Sequence, residues 1–319
     1  MELYPIKCKP ILKERIWGGT KLKSLFKKEI NSNITGESWE LSSVDDNIST
    51  IENGIYKNKT LIELIKFFPN ELLGYKVHTQ YGNNFPLLFK FIDAREDLSV
   101  QLHPNDELAK KRHQSFGKTE MWYVVQADVN AELIVGFNGK SNQEEYLKHI
   151  KDNTVVSLLN RIKIKKGDVF FIESGTIHAI GAGAVIAEIQ QTSDITYRVY
   201  DFERKDANGN QRELHNEMAL EAINYDIVNA KKTYSNLTNF SNQAVSCNYF
   251  TTNVIVLQGV MMMNYNDDSF KVFMCVEGDF VLKFNNKEET IGTGETILIP
   301  AALTHFLLEG NATLLEIYI

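Results

Sequence analysis

Short apolar runs at strand spacing dominate the chain from residue 85 onward. Runs rich in branched and aromatic side chains, broken by Gly, Asn and Asp, are typical of antiparallel sandwiches and barrels. The first runs are PLLFKFID, LSVQLH, EMWYVV and AELIVGF, then RIKIKKGDVFFIESGTIHAI and AVIAEIQQ. In residues 249–319 they are TNVIVLQG, FKVFMCVEG, FVLKF, ETILIP, THFLL and TLLEIYI. The pattern predicts a mainly β protein.

Helical spacing is confined to a few segments. TLIELIKFFPNELLG (60–74) predicts one helix, with Thr60 as its N-cap and Gly74 after its end. SNQEEYLKHIKDN (141–153) predicts a helix inserted between strands, and ELHNEMALEAIN predicts a helical piece in the polar stretch 211–245. We therefore expect a few inserted helices in a β framework.

One segment of the chain occurs twice. GDVFFIESGTIH (167–178) and GETILIPAALTH (294–305) have the same length from Gly to His. Both resemble the second motif of the cupin superfamily, G-x5-P-x-G-x2-H, and each departs from it at one place. Glu173 replaces the Pro in the first copy, and Ala302 replaces the second Gly in the other. The repeat implies two cupin-like, jelly-roll β-barrels.

Upstream strands of the two copies also match, because EMWYVVQAD (120–128) aligns without gaps on KVFMCVEGD (271–279). The chain has 319 residues, and a prior of ~150 residues per domain also suggests about two domains. The predicted division is an N-terminal segment packing on the first barrel (1–84), a metal-binding catalytic cupin (85–210), a connecting segment (211–248) and a degenerate C-terminal cupin (249–319).

Composition and charge exclude some classes of partner. The formal charge is −7 and the pI about 5.6, which argues against nucleic acid but not against a small anionic substrate. The three cysteines form no CxxC pair, so a disulfide framework is not expected. No apolar stretch reaches signal-peptide or membrane-spanning length. We expect a cytoplasmic protein without a membrane partner; oligomeric state is not predicted.

Three strand regions offer metal-ligating side chains. Gln101 and His103 lie two apart, as do Lys118 and Glu120, and alternate residues of a strand share a face. His178 belongs to the cupin-like motif. A lone QxH is usually a surface or packed polar pair, but Glu120 and His178 favour a metal site. Zinc fits imidazole and carboxylate ligands, although other divalent metals remain open.

A family resemblance covers nearly the whole chain. It is carried by ERIWGG, GESWELS, ENG, ELLG, FPLLFKFIDA, LSVQLHPND, GKTEMWYV, SGTIHAIGAG and EIQQTSDITYRVYDFER. With these motifs the chain resembles the type I mannose 6-phosphate isomerases in their short bacterial form. The resemblance implies a zinc-dependent aldose–ketose isomerase with one zinc per chain, interconverting mannose 6-phosphate and fructose 6-phosphate through a zinc-stabilised enediolate.

The resemblance also implies roles for individual residues. The implied metal ligands are Gln101, His103, Glu120 and His178; the implied active-site residues are Arg198, Lys118, Glu188 and Asp194; and Lys90 and Ser99 match positions near the proposed phosphate site. For Arg198 the alternative is a salt bridge to Asp194 or Asp201. The second copy has Lys271 where Glu120 would align, so His305 is expected to be structural.

Isomerisation moves a proton between C1 and C2 of the sugar and needs a base close to its target. Glu188, Asp194, Lys118, a histidine and a zinc-bound water all remain candidates for that base. Two other functions also remain open. One is a different metal-dependent cupin enzyme, such as an oxygenase, and the other is a non-catalytic sugar-binding cupin.

Overall fold

The computed structural model describes residues 3–205 and 209–319. Residues 1–2 and 206–208, which belong to the first and second predicted segments, lie outside this description. The described helices are α1 Lys21–Phe26, α2 Leu61–Phe67, α3 Pro69–Leu73, α4 Tyr75–Tyr81, α5 Asp106–His113, α6 Gln143–Lys151 and α7 Asn216–Ala222, with a 3-10 turn at Val155–Leu158. None of these helices is long and apolar enough to cross a bilayer.

Strands make up most of the regular structure. Their bounds are β1 Ile6–Lys7, β2 Ile11–Gly19, β3 Thr35–Leu41, β4 Ser43–Val44, β5 Asn47–Ile48, β6 Leu87–Asp93, β7 Val100–Leu102, β8 Glu120–Ala127, β9 Glu132–Phe137, β10 Leu159–Lys163, β11 Val169–Ile172, β12 His178–Ile180, β13 Ala184–Gln191, β14 Tyr197–Tyr200, β15 Lys231–Lys232, β16 Asn242–Ser246, β17 Thr251–Asn264, β18 Lys271–Phe284, β19 Lys287–Gly292, β20 Thr296–Ile299 and β21 His305–Tyr318.

Two antiparallel sheets form the N-terminal half. One has the order β15-β11-β8-β13-β6-β3-β2 and the other β10-β9-β12-β7-β14. Alternation along β8 gives the larger sheet two buried faces. Met121 and Tyr123 join the core shared with the C-terminal half, while Trp122 and Val124 pack with residues of the smaller sheet. The space between the sheets therefore receives every second side chain of β8.

The C-terminal half is one antiparallel sheet of order β1-β20-β18-β21-β17-β16, with β19 on β18. Its β1 comes from the start of the chain, since Ile6 pairs with Leu298. Residues of the first predicted segment therefore contribute to both halves: β2 and β3 extend the larger N-terminal sheet and β1 extends the C-terminal one. Likewise, β16 falls within the predicted connecting segment and pairs with β17.

The two copies of the repeated sequence also have equivalent structures. Tyr123 pairs with Val169 and, at the aligned positions, Met274 pairs with Thr296. The amide of Gly167 donates to Val124 O at 2.9 Å, and the amide of Gly294 donates to Cys275 O at 2.8 Å. Both glycines have left-handed φ values, 87° and 86°, which glycine adopts without steric cost. The prediction of a mainly β fold with two cupin-like halves is confirmed.

The predicted helix over residues 60–74 is wrong in one respect, because it is broken into α2 and α3 at Phe68. Phe68 precedes Pro69, and a residue before proline is disfavoured in helical conformation. Its φ and ψ are −139° and 59°. The predicted N-cap is correct, since Thr60 and Glu63 form a reciprocal capping box.

Candidate metal centre and active-site cleft

Three side chains from distant parts of the chain meet between the two N-terminal sheets. His178 begins β12 in the smaller sheet, Glu120 begins β8 in the larger one, and His103 follows β7. Glu120 Oε1 lies 3.5 Å from His178 Nε2, and Glu120 Oε2 lies 3.6 Å from His103 Nε2. All three residues are at most 1% exposed. The structure therefore brings together three of the four predicted metal ligands with their donor atoms facing one another.

Backbone carbonyls orient both imidazole rings. His103 Nδ1 lies 2.8 Å from Ile195 O, and His178 Nδ1 lies 2.9 Å from Thr176 O. A carbonyl accepts only, so each Nδ1 carries the proton and each Nε2 presents a lone pair to the cluster. This is the arrangement in which protein imidazoles bind metals, with the outer nitrogen fixing the tautomer.

Three of the four ligand atoms that face one another in the cluster are buried without hydrogen-bond partners. Among the described residues, His103 Nε2 and both carboxylate oxygens of Glu120 are in this state. Lys118 Nζ lies 3.1 Å from Glu120 Oε2, an ion pair whose angles are not those of a hydrogen bond. Orphaned buried acceptors are costly unless something compensates them. The residues therefore fit a divalent cation, which would satisfy these acceptors together.

Burial also sets the protonation of the cluster. It lowers the pKa of His178 to about 4, and burial together with the Lys118 charge lowers the pKa of His103 well below its usual range. Both rings are therefore neutral at neutral pH, the form that binds a metal. Burial and the nearby Glu188 charge raise the pKa of Glu120 to about 7. A cation bound next to Glu120 would therefore stabilise its ionised carboxylate.

The fourth predicted ligand, Gln101, is directly opposite His178 on the neighbouring strand β7. Its amide Nε2 lies 3.5 Å from His178 Nε2. The two ends of an amide exchange on a half-turn of the side chain, which would place Oε1, a metal-binding oxygen, at this position. Gln101 therefore lies beside the cluster with a usable amide.

A cleft of about 610 Å³ opens beside this cluster. It is lined by all seven of the other predicted site positions and by further residues of β2 and β3; the seven are Lys90, Ser99, Gln101, Lys118, Glu188, Asp194 and Arg198. The three residues of the buried cluster do not line it, but Lys118 and Gln101 contact them and also line the cleft. The cleft and the cluster are thus adjoining parts of one site.

Lys90 and Glu188 form a buried pair in the cleft wall. Lys90 Nζ donates to Glu188 Oε1 at 2.9 Å and to Gln190 Oε1 at 2.7 Å, and Trp122 Nε1 donates to Glu188 Oε2 at 3.0 Å. Burial alone would raise the pKa of Glu188, but the charges of Lys90 and Lys118 outweigh it and lower that pKa. Glu188 is therefore an anion with a donor on each oxygen.

Arg198 lies on β14 and faces the cleft. Its Nε donates to Ser99 Oγ at 3.3 Å, and its Nη1 donates to Glu213 O at 2.9 Å. Within the described residues it forms no ion pair with Asp194 or Asp201. Asp201 is instead held by Arg204 and Arg212. The guanidinium of Arg198 is thus positioned by neutral groups and keeps its charge available to the cleft.

Strands β2 and β3 form a part of the cleft wall that was not predicted from the sequence. Arg15 Nη2 and Trp39 Nε1 both donate to Glu37 Oε2, at 2.9 and 2.8 Å. Lys13 and Arg212 also line the cleft. Alternation in the GESWELS motif puts Glu37 and Trp39 on one face of β3, so the motif contained the signal for this wall.

The corresponding place in the C-terminal half has a different character. Lys271, aligned with Glu120, is buried and bonds both oxygens of Asp267 at 2.6 and 2.7 Å. It also lies over the rings of Tyr265 and Tyr318. His305 is exposed, and the one side-chain hydrogen bond that its ring makes among the described residues is to Thr304. The positive charge of Lys271, at the position of the ligand Glu120, disfavours a metal cation. The described residues of the C-terminal half therefore offer no second copy of the cluster.

Comparisons with known proteins agree with this architecture. Residues 3–135 match the model of the phosphomannose isomerase type I catalytic domain, and residues 241–319 match that of the mannose-6-phosphate isomerase cupin domain. The chain is 38% identical to mannose-6-phosphate isomerase ManA of Bacillus subtilis over 98% of both chains. It is 34% identical to mannose-6-phosphate isomerase of Streptococcus mutans over 96% of both.

Among solved structures, the mannose 6-phosphate isomerase from Bacillus subtilis superposes with a TM-score of 0.92 at 37% identity. The superposition covers 99% of this chain and 100% of the other. Full-length similarity of this degree, together with the two matching domain models, shows that the chain belongs to the type I mannose 6-phosphate isomerase family.

Proposed function

We propose that the protein interconverts mannose 6-phosphate and fructose 6-phosphate. The observation that carries this proposal is the meeting of the buried ligand atoms of His103, Glu120 and His178, several of them without a hydrogen-bond partner, beside a cleft that contains Lys118 and Arg198. The relatives that share the whole length of the chain are named for this isomerase activity. A small sugar phosphate is therefore the proposed partner, and the cytoplasm stays the predicted location.

Zinc is the proposed cofactor, held by Gln101, His103, Glu120 and His178. With two neutral imidazoles, one amide oxygen and one carboxylate, a site for Zn²⁺ retains about one net positive charge. When bound, zinc would supply a Lewis acid to the oxygens of the reacting carbons. Nitrogen and oxygen ligands of this kind are less polarisable than thiolates, and they bind several divalent metals besides zinc.

The chain's own cations would stabilise negative charge on the substrate. Removing a proton beside a carbonyl leaves an enediolate, whose charge needs a fixed partner. Lys118 is buried next to the cluster and lines the cleft, which supports a role for its ammonium beside the oxygens of the reacting carbons. Arg198, opposite Gln101 on the neighbouring strand, supplies a permanently charged guanidinium to the same cleft, suited to an oxyanion or the phosphate.

Geometry separates the two carboxylates proposed for proton transfer. Both oxygens of Glu188 already accept hydrogen bonds, and its ion pair with Lys90 opposes protonation. We assign Glu188 to holding Lys90 and Trp122 in place. Asp194 lines the same cleft with an exposed carboxylate that has no side-chain partner among the described residues. We propose Asp194 as the proton-transferring base.

For phosphate binding, Lys90 is a weaker candidate than Ser99. Two acceptors occupy the Lys90 ammonium, and Trp39 lies under it at 5.1 Å. Ser99 instead accepts from Arg198, so a phosphate held by Arg198 would lie near its hydroxyl. We propose that Arg198 and Ser99 contact the phosphate together, with Lys90 setting the charge of the cleft wall.

A coupled assay tests the proposed function. Zinc-loaded wild-type protein is expected to convert fructose 6-phosphate into mannose 6-phosphate, and Asp194→Asn is expected to lower kcat while keeping zinc. Oxygen consumption by the iron-loaded protein, without isomerisation, would favour a cupin oxygenase. Binding of mannose 6-phosphate without turnover by the zinc-loaded wild type would favour the non-catalytic binding protein.

A further inference from the structure

One excursion of the chain joins two of the candidate metal ligands. It leaves His103 after β7, runs through α5 and returns to Glu120 at the start of β8. We call residues 104–119 the α5 loop. Lys118, which forms an ion pair with Glu120, lies near the end of this loop. The relative positions of His103, Lys118 and Glu120 therefore depend on how the two ends of the α5 loop are held together.

The carboxylate of Asp106 joins the two ends of the α5 loop. Its Oδ1 accepts from the amide of Gly117 at 2.8 Å and from Gln191 Nε2 at 3.0 Å. A backbone bond from the amide of Lys118 to Pro104 O, at 3.1 Å, closes the same junction. The start of the loop is thus bonded directly to its end.

Gln191, on β13, ties this junction to the larger N-terminal sheet. Its Oε1 accepts from the amide of Thr119 at 2.8 Å, and its own amide donates to Thr119 O at 3.2 Å. Gly117 is required at the junction, because a Cβ atom there would lie 2.5 Å from the amide nitrogen of Asp106. The two ends of the loop are therefore closely packed as well as hydrogen-bonded.

The second oxygen of Asp106 is bonded by the C-terminal half. Tyr249 lies between β16 and β17, and its hydroxyl donates to Asp106 Oδ2 at 2.7 Å. Burial and the charge of Asp106 raise the pKa of Tyr249, so the hydroxyl keeps its proton. The amide of Cys247 donates to Phe250 O at 3.0 Å and closes the turn that carries Tyr249. The hydroxyl is therefore presented to Asp106 from a fixed turn.

We propose that Tyr249 is a positioning residue for the candidate metal centre and acts through the carboxylate of Asp106. The inference rests on the metal site of the proposed function, since it requires that His103 and Glu120 bind a cation. With two donors on Oδ1, the Tyr249 hydroxyl orients the carboxylate from its other oxygen. The C-terminal half, whose described residues hold no metal-ligating cluster of their own, thus contributes to the centre in the other half.

Loss of the Tyr249 hydroxyl should weaken metal binding without abolishing it. Ligands that are held in place before the metal arrives lose less conformational entropy when it binds. Tyr249→Phe keeps the ring and all the ligands, but it leaves the α5 loop less constrained in the metal-free protein. Loss of a partner that bonds a ligand directly costs about 10–100-fold in metal affinity. Tyr249 lies farther from the ligands, so a loss of about 3–10-fold is expected.

Zinc affinity, measured by competition with a chelator, tests the proposal without requiring turnover. The dissociation constant for zinc should rise by about 3–10-fold in Tyr249→Phe. Tyr265→Phe is the matched control, because Tyr265 also donates to a carboxylate, that of Glu316, within the C-terminal half. It should lower the urea midpoint of the metal-free protein, as Tyr249→Phe does, and leave zinc affinity unchanged. Wild-type zinc affinity in Tyr249→Phe overturns the proposal, as does an equal loss of affinity in Tyr265→Phe.

A double variant tests the route through Asp106. Asp106→Ala removes the acceptor of all three donors at the junction and should weaken zinc binding by about 10–100-fold. If Tyr249 acts through Asp106, Tyr249→Phe should cause no further loss of affinity in the Asp106→Ala background. Additive losses would show that Tyr249 acts by another route and would overturn the assignment.

The positioning role and the proposed function fail separately. A wild type that binds zinc but does not isomerise fructose 6-phosphate overturns the proposed function, and zinc affinity in Tyr249→Phe still decides the positioning role. A wild type that binds no zinc overturns both.

Discussion

Lys90 and Glu188 lie directly opposite each other on β6 and β13, and their side chains form a buried ion pair with an N–O distance of 2.9 Å. Breaking a buried pair leaves one charge without compensation, which costs about 3–5 kcal/mol. We expect Glu188→Gln to lower the unfolding free energy of the metal-free protein by this order. Denaturant unfolding in the presence of a chelator measures the change.

A double variant measures the interaction free energy between Lys90 and Glu188 apart from the contacts that each makes with other residues. Lys90→Met/Glu188→Gln removes both charges, so it should cost less than the sum of the single changes by about 1–3 kcal/mol. Lys283→Met breaks an exposed ion pair with Glu309 and should leave stability close to that of the wild type. Additive effects of the two buried changes would mean that Lys90 and Glu188 do not depend on each other.

Arg198 should matter for turnover but not for metal binding. It lines the cleft and contacts Ser99, and among the described residues no hydrogen bond or ion pair joins its side chain to a candidate ligand, although it lies opposite Gln101 on the neighbouring strand β7. Arg198→Ala is expected to lower kcat/KM by about 100-fold or more, as loss of one charged donor to a developing anion does, while zinc stays at the wild-type level. A coupled assay and metal analysis give the two readouts.

Arg161→Ala is the control for this change, because Arg161 pairs with Glu132 away from the cleft and its loss should leave both readouts unchanged. Release of zinc by Arg198→Ala would contradict the role given to Arg198.

Asp201 holds Arg212, which lines the cleft, and its ionisation should make the stability of the protein depend on pH in acid. Its carboxylate accepts from Arg204 and Arg212, and although burial acts the other way, these two arginines lower its pKa. An Asp with a lowered pKa in the folded state stabilises the fold fully above its unfolded pKa of about 3.9, and this contribution is lost as the pH falls below it. Asp201→Asn should therefore cost about 2 kcal/mol from pH 5 to 8.

The difference between wild type and Asp201→Asn should shrink as the pH falls below about 4, which urea unfolding at a series of pH values can measure. Asp226→Asn is the surface control, since Asp226 pairs with Lys140 with both side chains exposed and its loss should change stability little at any pH. A gap that widens in acid would show that Asp201 is protonated in the folded protein.

Much of the site was predictable because it depends on strand alternation and a repeated motif. Lys118 and Glu120 were predicted to share a face because they are two residues apart. His178 was predicted as a site residue because it ends the repeated motif. Both expectations depend on local geometry, which sequence encodes directly. Tyr123 in the first half and Met274 in the second pair with equivalent residues, Val169 and Thr296. The ungapped alignment of the two segments therefore corresponds to equivalent positions in the structure.

The remaining features depend on pairing between distant segments, which local patterns do not specify. Lys90 and Glu188 are 98 residues apart, and their pairing depends on the register between β6 and β13. The pairing of β1 with β20 joins the two ends of the chain. The Arg212–Asp201 contact was missed because many charged residues offer equivalent partners until the fold is known.

The central claim is that one divalent cation binds where His103, Glu120 and His178 meet. Zinc analysis of protein loaded and then desalted tests it most directly, with His305→Ala as a matched histidine change in the other half of the molecule. We expect about one zinc per chain in the wild type and in His305→Ala, and almost none in His103→Ala or His178→Ala. Full zinc retention by both His103→Ala and His178→Ala, or a wild type that binds none, would contradict the account.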